Sequence, residues 1–420
     1  MLWSRTSGIA IAALIVTGAL VVLVLVGFGV GRPDPPPPAA GQIPAIHPHD
    51  GNVALIGAAS TTPATSHAVV ASAESVLAGR LSARQLAGQR VIYSYTGQTP
   101  PASLLALIRH GDAGGVIFFA TNFKSRSQFS RAVSELVAAN ASTHNPARKY
   151  PLLLMTDQEG GLVRRLPGAP VLSEKKIGQK EPVSAAEAAA RQAGASAAAN
   201  LRGYRLNVNL APVLDVYRKS GDFDDQFQRS YSMRPVLASE LGASFIKAQQ
   251  ARKVAATAKH FPGLGAAAAK QNTDNVPVTL NVPARTLEGL DEYPYMAAIK
   301  AGVKLVMVSW AKYPALDRKL PAGLSPAIVH GQLRDRLKFR GVTITDAIGA
   351  GALKAFGSLQ NRSLLAARAG MEVIVATQGT ATGVLCMDGL ESAYRSGKLG
   401  ATGFKAAVSQ ILTLRHSLPV

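Results

Sequence analysis

The chain has 420 residues, 47% of them apolar, and a single cysteine, Cys386. That length allows one large α/β core in one or two domains, and the lone cysteine excludes an intrachain disulfide framework and a cysteine-rich zinc site. Forty-five Lys and Arg against 25 Asp and Glu leave a formal charge of +20, which favours polyanionic surroundings such as acidic wall polymers or anionic lipid. The basic residues are scattered with little aromatic interleaving, so no nucleic-acid partner is expected.

Arg5 precedes an uncharged stretch from Thr6 to Gly31 that contains the run Val21 to Val26, long enough to cross a hydrocarbon core of about 30 Å. Residues 1–31 therefore read as a transmembrane signal anchor. The apolar run exceeds the usual signal-peptide core of about 7–15 residues, and no Ala-x-Ala-like site closes it. The expected location is the cell membrane, with one span and the rest of the chain on the extracytoplasmic side; cleavage of the segment would make the protein secreted. Residues 32–76 begin with Pro33-Asp34-Pro35-Pro36-Pro37-Pro38 and continue rich in Ala, Gly, Ser and Thr. They cannot bury enough apolar surface to fold and read as a linker. The folded domain is expected over 77–420, entered by a short helix over 77–86.

Eight apolar runs then follow as strand candidates, at 91–95, 115–120, 151–156, 206–211, 254–258, 304–309, 341–345 and 372–376. Between them lie segments of helical periodicity at 102–110, 127–140, 184–201, 236–251, 293–301 and 326–337. Eight strands alternating with helices over this length predict an α/β fold, a (β/α)8 TIM-type barrel, with a doubly wound open sheet as the alternative.

In a parallel α/β fold the chemistry collects at the C-terminal ends of the strands, and here five consecutive runs end on polar groups. The third ends in Thr156-Asp157-Gln158-Glu159-Gly160-Gly161, followed by Arg164-Arg165. The fourth leads to Asp215 and, further on, Arg229. The fifth ends in Lys259-His260, the sixth in Ser309-Trp310, and the seventh in Thr345-Asp346. Taken singly, Asp157 and Asp346 also suit helix caps, Asp215 a structural ion pair, and His260 a core position. Together they form a ring of acids and cations at one mouth, which without a ligand would cost stability. Such a ring suits the vicinal hydroxyls of a sugar better than a phosphate. No GxGxxG, GxxxxGK[ST] or HExxH motif follows a strand, so no nucleotide cofactor or metal is expected. Acid-catalysed hydrolysis with a carboxylate nucleophile is the remaining match.

The stretches Thr156-Asp157-Gln158-Glu159-Gly160-Gly161-Leu162-Val163-Arg164-Arg165, Lys259-His260-Phe261-Pro262-Gly263, Tyr313-Pro314-Ala315-Leu316-Asp317, Leu324-Ser325-Pro326 and Thr345-Asp346 resemble the signatures of glycoside hydrolase family 3, in particular its single-domain β-N-acetylhexosaminidase branch. The resemblance runs from about Leu81 to the C-terminus. It implies a (β/α)8 barrel that needs no metal and cleaves β-linked sugars with retention through a glycosyl-enzyme intermediate. It implies that Asp346 is the nucleophile, held ionised by nearby Lys and Arg. Asp157, Arg165, Arg229, Lys259 and His260 resemble the residues that grip the sugar being cleaved.

Two departures stand out. Where the hexosaminidase branch carries a His-Gly pair and an Asp-Ser-His, this chain reads Gly263-Leu264-Gly265-Ala266-Ala267-Ala268-Ala269-Lys270-Gln271-Asn272-Thr273-Asp274. No histidine is present there, which leaves Asp274 as the candidate general acid/base. Ala347 stands where members commonly have a second acid. The expected function is a membrane-tethered, exo-acting hydrolase of β-linked N-acetylglucosamine-type or β-glucosyl residues in cell-wall-type glycans. The alternative is a weakened or inactive glycan-binding protein on the same barrel.

Overall fold

The computed structural model describes residues 72–419. The expected anchor over 1–31 and all but the end of the linker lie outside the described residues. Among those described, no helix is long and apolar enough to cross a membrane.

The eight runs form the eight strands of a closed parallel barrel: β1 (Val91–Tyr93), β2 (Gly115–Ile117), β3 (Leu153–Thr156), β4 (Val208–Asn209), β5 (Ala255–Phe261), β6 (Leu305–Val308), β7 (Val342–Ala347) and β8 (Val373–Val375). Each pairs with its chain neighbours, and Val91 of β1 stands opposite Ile374 of β8, which closes the ring and eliminates the open sheet.

Side chains alternate between the two faces of a strand, and the sequence obeys this strictly. Ile92, Leu153, Met155, Val208, Ala255, Leu305, Met307, Val342, Ile344, Val373 and Val375 fill the barrel as one buried cluster. Their neighbours Val91, Tyr93, Val116, Leu154, Ala256, Val306 and Ile374 face outward, in the cluster that packs under the helices. Each Val, Leu, Ile or Met among them, fully buried, contributes roughly 1.5–3 kcal/mol. The outer helices include Ala102–Arg109, Arg126–Asn140, Val183–Gly203, Pro235–Gln250, Tyr293–Lys300 and the wide-turned Ala327–Arg336, near the expected positions. The N-terminal end of the barrel is plugged by Ile411, Leu414 and Leu418, in and just after the last helix, Ala401–His416.

The single helix expected over 77–86 is in fact two, Ala73–Arg80 and Ala83–Gly88. Ser82 interrupts them because it forms a capping box: its side chain accepts from the backbone N–H of Gln85, and the Gln85 side chain accepts from the N–H of Ser82. That exchange satisfies two otherwise orphaned donors and starts a new helix. The first helix also reclaims Ala73–Val76 from the expected linker. At the other end of the barrel β5 runs through Lys259, His260 and Phe261 and β7 through Asp346, beyond the expected ends at 258 and 345.

Candidate active site

The inward rows of the strands, continued by one more step of two, lead to the site. Leu153 and Met155 are followed by Asp157, Ala255 and Thr257 by Lys259, Val342 and Ile344 by Asp346, and Val373 and Val375 by Thr377. These residues line a cavity of about 530 Å³ at the C-terminal end of the barrel, floored by Ile117, Leu210, Met307 and Val375. His260 also reaches it directly after Lys259, and the peptide bond between the two is cis. All seven candidates from the sequence, Asp157, Arg165, Arg229, Lys259, His260, Asp274 and Asp346, line this one cavity.

Most of its charges are already engaged. Lys259 Nζ lies 2.7 Å from Asp157 Oδ1 and 2.7 Å from Glu159 Oε1. Glu159 also accepts both Nε and Nη2 of Arg229 at 3.0 Å, and Arg229 Nη1 donates to Asp224 at 3.2 Å. Burial alone would raise the Glu159 carboxyl, but Arg229 and Lys259 outweigh it and hold the group near 2. Lys259 is likewise pulled down by desolvation and brought back above its ordinary value by Asp157 and Glu159. Fork-shaped, charge-assisted pairing of this kind fixes side-chain position as well as charge.

His260 is held from below. Its Nδ1–H donates to Asp215 Oδ2 at 2.7 Å, and Asp215 Oδ1 also accepts the backbone N–H of Leu264 at 2.6 Å. Burial and the Arg229 charge push the imidazole down to about 4. The ring is therefore neutral at pH 7, with Nε2 turned to Arg229 at 3.4 Å as an acceptor. Asp215, Asp224 and His260 stand close enough to share one cation, within 4.8 Å. Arg229 already supplies that charge, and N–H donors occupy both oxygens of Asp215. Asp224 Oδ2 is buried with no donor facing it, and burial plus the Asp215 charge lift this carboxyl to about 7. Near neutral pH the group is therefore only part-ionised, with Arg229 as its cationic neighbour.

Among the described residues, Asp274 and Asp346 are the two carboxylates of the cavity with no ion pair. Asp346 Oδ1 accepts the backbone N–H of Ala347 at 2.7 Å. Desolvation and the facing charge of Asp274 raise it, against smaller opposing effects of His260 and Lys259. This corrects the expectation that Lys and Arg depress Asp346: Lys259 and Arg229 spend their charge on Asp157, Glu159 and Asp224. Asp274 is raised too, by desolvation and by Asp157. Its loop is clamped onto the segment that follows β7. The N–H of Gly351 donates to the Asp274 carbonyl at 2.7 Å, and that of Ala352 to Thr273 at 3.1 Å. A Cβ at Gly351 would come within 2.0 Å of the Asn275 carbonyl oxygen, so only glycine permits the contact.

Sequence reasoning missed Glu159 and Asp224 as site residues and left Asp215 without a role. Glu159 lies inside the Thr156–Arg165 motif, and the acid-rich stretch Asp222–Asp225 was the available sign of Asp224. The buried Glu174, which accepts the N–H of Val213 at 3.0 Å, gave none.

A closed parallel barrel with two unpaired carboxyls and a cation network at its C-terminal mouth has the parts that an acid–base hydrolase requires. Residues 84–414 match the Glycosyl hydrolase family 3 N terminal domain, and the chain belongs to this family of glycoside hydrolases. An uncharacterized secreted glycosyl hydrolase of Arthroderma benhamiae is 43% identical, over 79% of this chain and 93% of that one. A β-hexosaminidase of Xanthomonas oryzae pv. oryzae is 31% identical, over 74% and 92%. Among solved structures, the family 3 β-N-acetylglucosaminidase of Paenibacillus sp. str. FPU-7 superposes with a TM-score of 0.74 at 29% identity, covering 80% of this chain and 62% of that one.

Proposed function

We propose that the protein is a retaining, exo-acting hydrolase of β-linked N-acetylglucosamine-type residues, with cell-wall glycans as its substrate class. The observation that carries the reading is the pair of unpaired carboxyls, Asp346 and Asp274, in a cavity whose other acids are all tied to cations. Asp346 attacks the anomeric carbon and Asp274 protonates the departing oxygen, then deprotonates the water that releases the sugar. Asp157, Arg165, Arg229, Lys259 and His260 hold the hydroxyls of the sugar being cleaved. Arg165 supports this role, since its Nε is buried without a partner and 4.0 Å from Asp157. The names of the β-hexosaminidase and β-N-acetylglucosaminidase relatives support the choice of amino sugar. Tethering at the membrane on the extracytoplasmic side fits a wall substrate and remains part of the proposal.

One observation favours a second reading, a glycan-binding protein with little turnover: the loop 264–275 carries no histidine and Ala347 no carboxyl. Proton NMR of nitrophenyl β-N-acetylglucosaminide hydrolysis separates the two. The first-formed sugar is expected to be the β anomer, with turnover lost in Asp346→Asn. An α anomer would refute retention, and absence of turnover with saturable sugar binding would establish the second reading.

A further inference from the structure

Large apolar side chains are exposed beside the cavity mouth. Leu162 is 63% exposed, Val171 69%, Leu172 42% and Phe227 41%. They come from three segments that the backbone ties together. Gly160 and Gly161 adopt φ of 117° and 55°, a region that favours glycine, and a Cβ on either would strike Leu172 O at 2.2 Å or Ser173 Cβ at 2.3 Å. The tip of the Gln158–Arg164 hairpin therefore lies flat on the 171–173 segment, with the Gly161 N–H donating to Val171 O at 3.1 Å. Ser173 Oγ in turn donates to Gln228 at 3.0 Å, which sets Phe227 beside them. The Phe227 ring is braced edge-on by buried Phe223 at 5.6 Å.

Leu162, Phe223 and Phe227 line the same cavity as Asp346 and Asp274. The cavity thus changes character outward, from buried charges to a braced apolar lip. A pyranose has the same two characters: hydroxyls around its edge and C–H bonds across its faces. Apolar surface next to a polar pocket is what a second ring, continuing the chain beyond the cleaved bond, presents for contact. Exposed apolar groups continuous with a site mark recognition rather than packing.

We infer that this lip is the leaving-group subsite, on which Phe227 and Leu162 take the C–H face of the sugar that departs. The inference rests on the hydrolase reading above and assigns it a specificity determinant for oligosaccharides over small aglycones. The full chain and its Leu162→Ser and Leu162→Ser/Phe227→Ser variants are assayed on two substrates. One is the β-1,4 disaccharide of N-acetylglucosamine; the other is β-N-acetylglucosaminyl fluoride, whose leaving group has no ring to seat. The double variant is expected to lose about tenfold more kcat/KM on the disaccharide than on the fluoride, chiefly through KM. The single variant, on an exposed hairpin tip, shifts the ratio in the same direction and guards against misfolding of the double one. Equal losses on both substrates overturn the subsite, even if the variants alter self-association or vesicle binding. A wild-type chain that hydrolyses neither substrate overturns the hydrolase reading, and the subsite with it.

Discussion

At the N-terminal end of the barrel, Ile411, Leu414 and Leu418 close the bore with apolar surface, and a buried cation beside them, Arg415, meets only neutral acceptors. Its Nε donates to Pro151 O and its Nη2 to Tyr150 O, each at 2.7 Å, and Nη1 reaches the Gln89 side chain. At the C-terminal end the strands and the loops that follow them gather Asp157, Glu159, Lys259, Arg229 and His260 in one interlocked network, with Asp274 and Asp346 left outside it. One end closes on apolar side chains and satisfies Arg415 with its own backbone and Gln89. The other spends most of its ions on each other and leaves two acids over. Stability belongs to the first arrangement and chemistry to the second.

The largest expected effect comes from removing a leftover acid. Asp346→Asn should lower kcat by ~10⁴-fold while leaving the melting temperature unchanged or higher, because it deletes a desolvated charge that faces another. A large drop in melting temperature would make Asp346 structural. Asp274→Asn should cost roughly 10²–10⁴-fold on the disaccharide and much less on a nitrophenyl glycoside, which leaves without protonation. It should also abolish the alkaline limb of the wild-type pH–kcat/KM profile, a limb displaced above the ordinary carboxylate range by the raised Asp274. An unchanged profile would assign the proton to another group.

Gly351→Ala tests how Asp274 is held. A methyl group 2.0 Å from a backbone oxygen must displace the loop, and a shift of about 1 Å at the reacting groups costs about 10²-fold. The expected signature is a loss concentrated in kcat, with thermal stability little altered. At the opposite end, Leu414→Ala should cost roughly 2–5 kcal/mol in urea unfolding, with kcat per folded molecule preserved. A selective loss of kcat there would mean that the two ends are not separable.

The smallest effect is the pH dependence of stability. Asp215 is raised to about 6 by burial, Asp224 to about 7 by burial and Asp215, and Asp291 to about 7 by burial against the pull of Arg218. Each holds its proton more tightly folded than unfolded, so its contribution is complete below about pH 4 and is lost as pH rises through 6 to 7. Two groups work in the opposite direction: Glu159, whose contribution fades as pH falls toward 2, and His260, held down at about 4, whose neutral folded ring is penalised as pH falls below the ordinary imidazole value of about 6.5; the three raised acids outweigh that one histidine. The melting temperature should therefore be higher at pH 5 than at pH 8; the reverse order would mean that these acids are ionised in the native state.

The barrel and half of its mouth were legible because period-two alternation is written in the strands: 153/155/157, 255/257/259 and 342/344/346 place Asp157, Lys259 and Asp346 inward without coordinates. Glu159 was not, because it sits on a short antiparallel hairpin, Gln158–Gly160 with Val163–Arg164, outside the barrel's periodicity. Asp224 belongs to a loop whose position depends on Arg229, and Asp274 is brought to the cavity by a glycine nearly 80 residues later. The sign of the Asp346 shift was misread for a related reason. A sequence shows that Lys259 and Arg229 are near, but only their partners show that their charges are already taken. The helix break at Ser82 was within reach of the Ser-x-x-Gln spacing and was overlooked.

The most direct test of the two-acid account is intact mass followed by peptide mapping after exposure of the full chain to a 2-deoxy-2-fluoro β-glycoside with a good leaving group. The account predicts a gain of one fluoroglycosyl unit, on the peptide that carries Asp346, and none in Asp346→Asn. An adduct on any other residue, or time-dependent turnover with none, would contradict it.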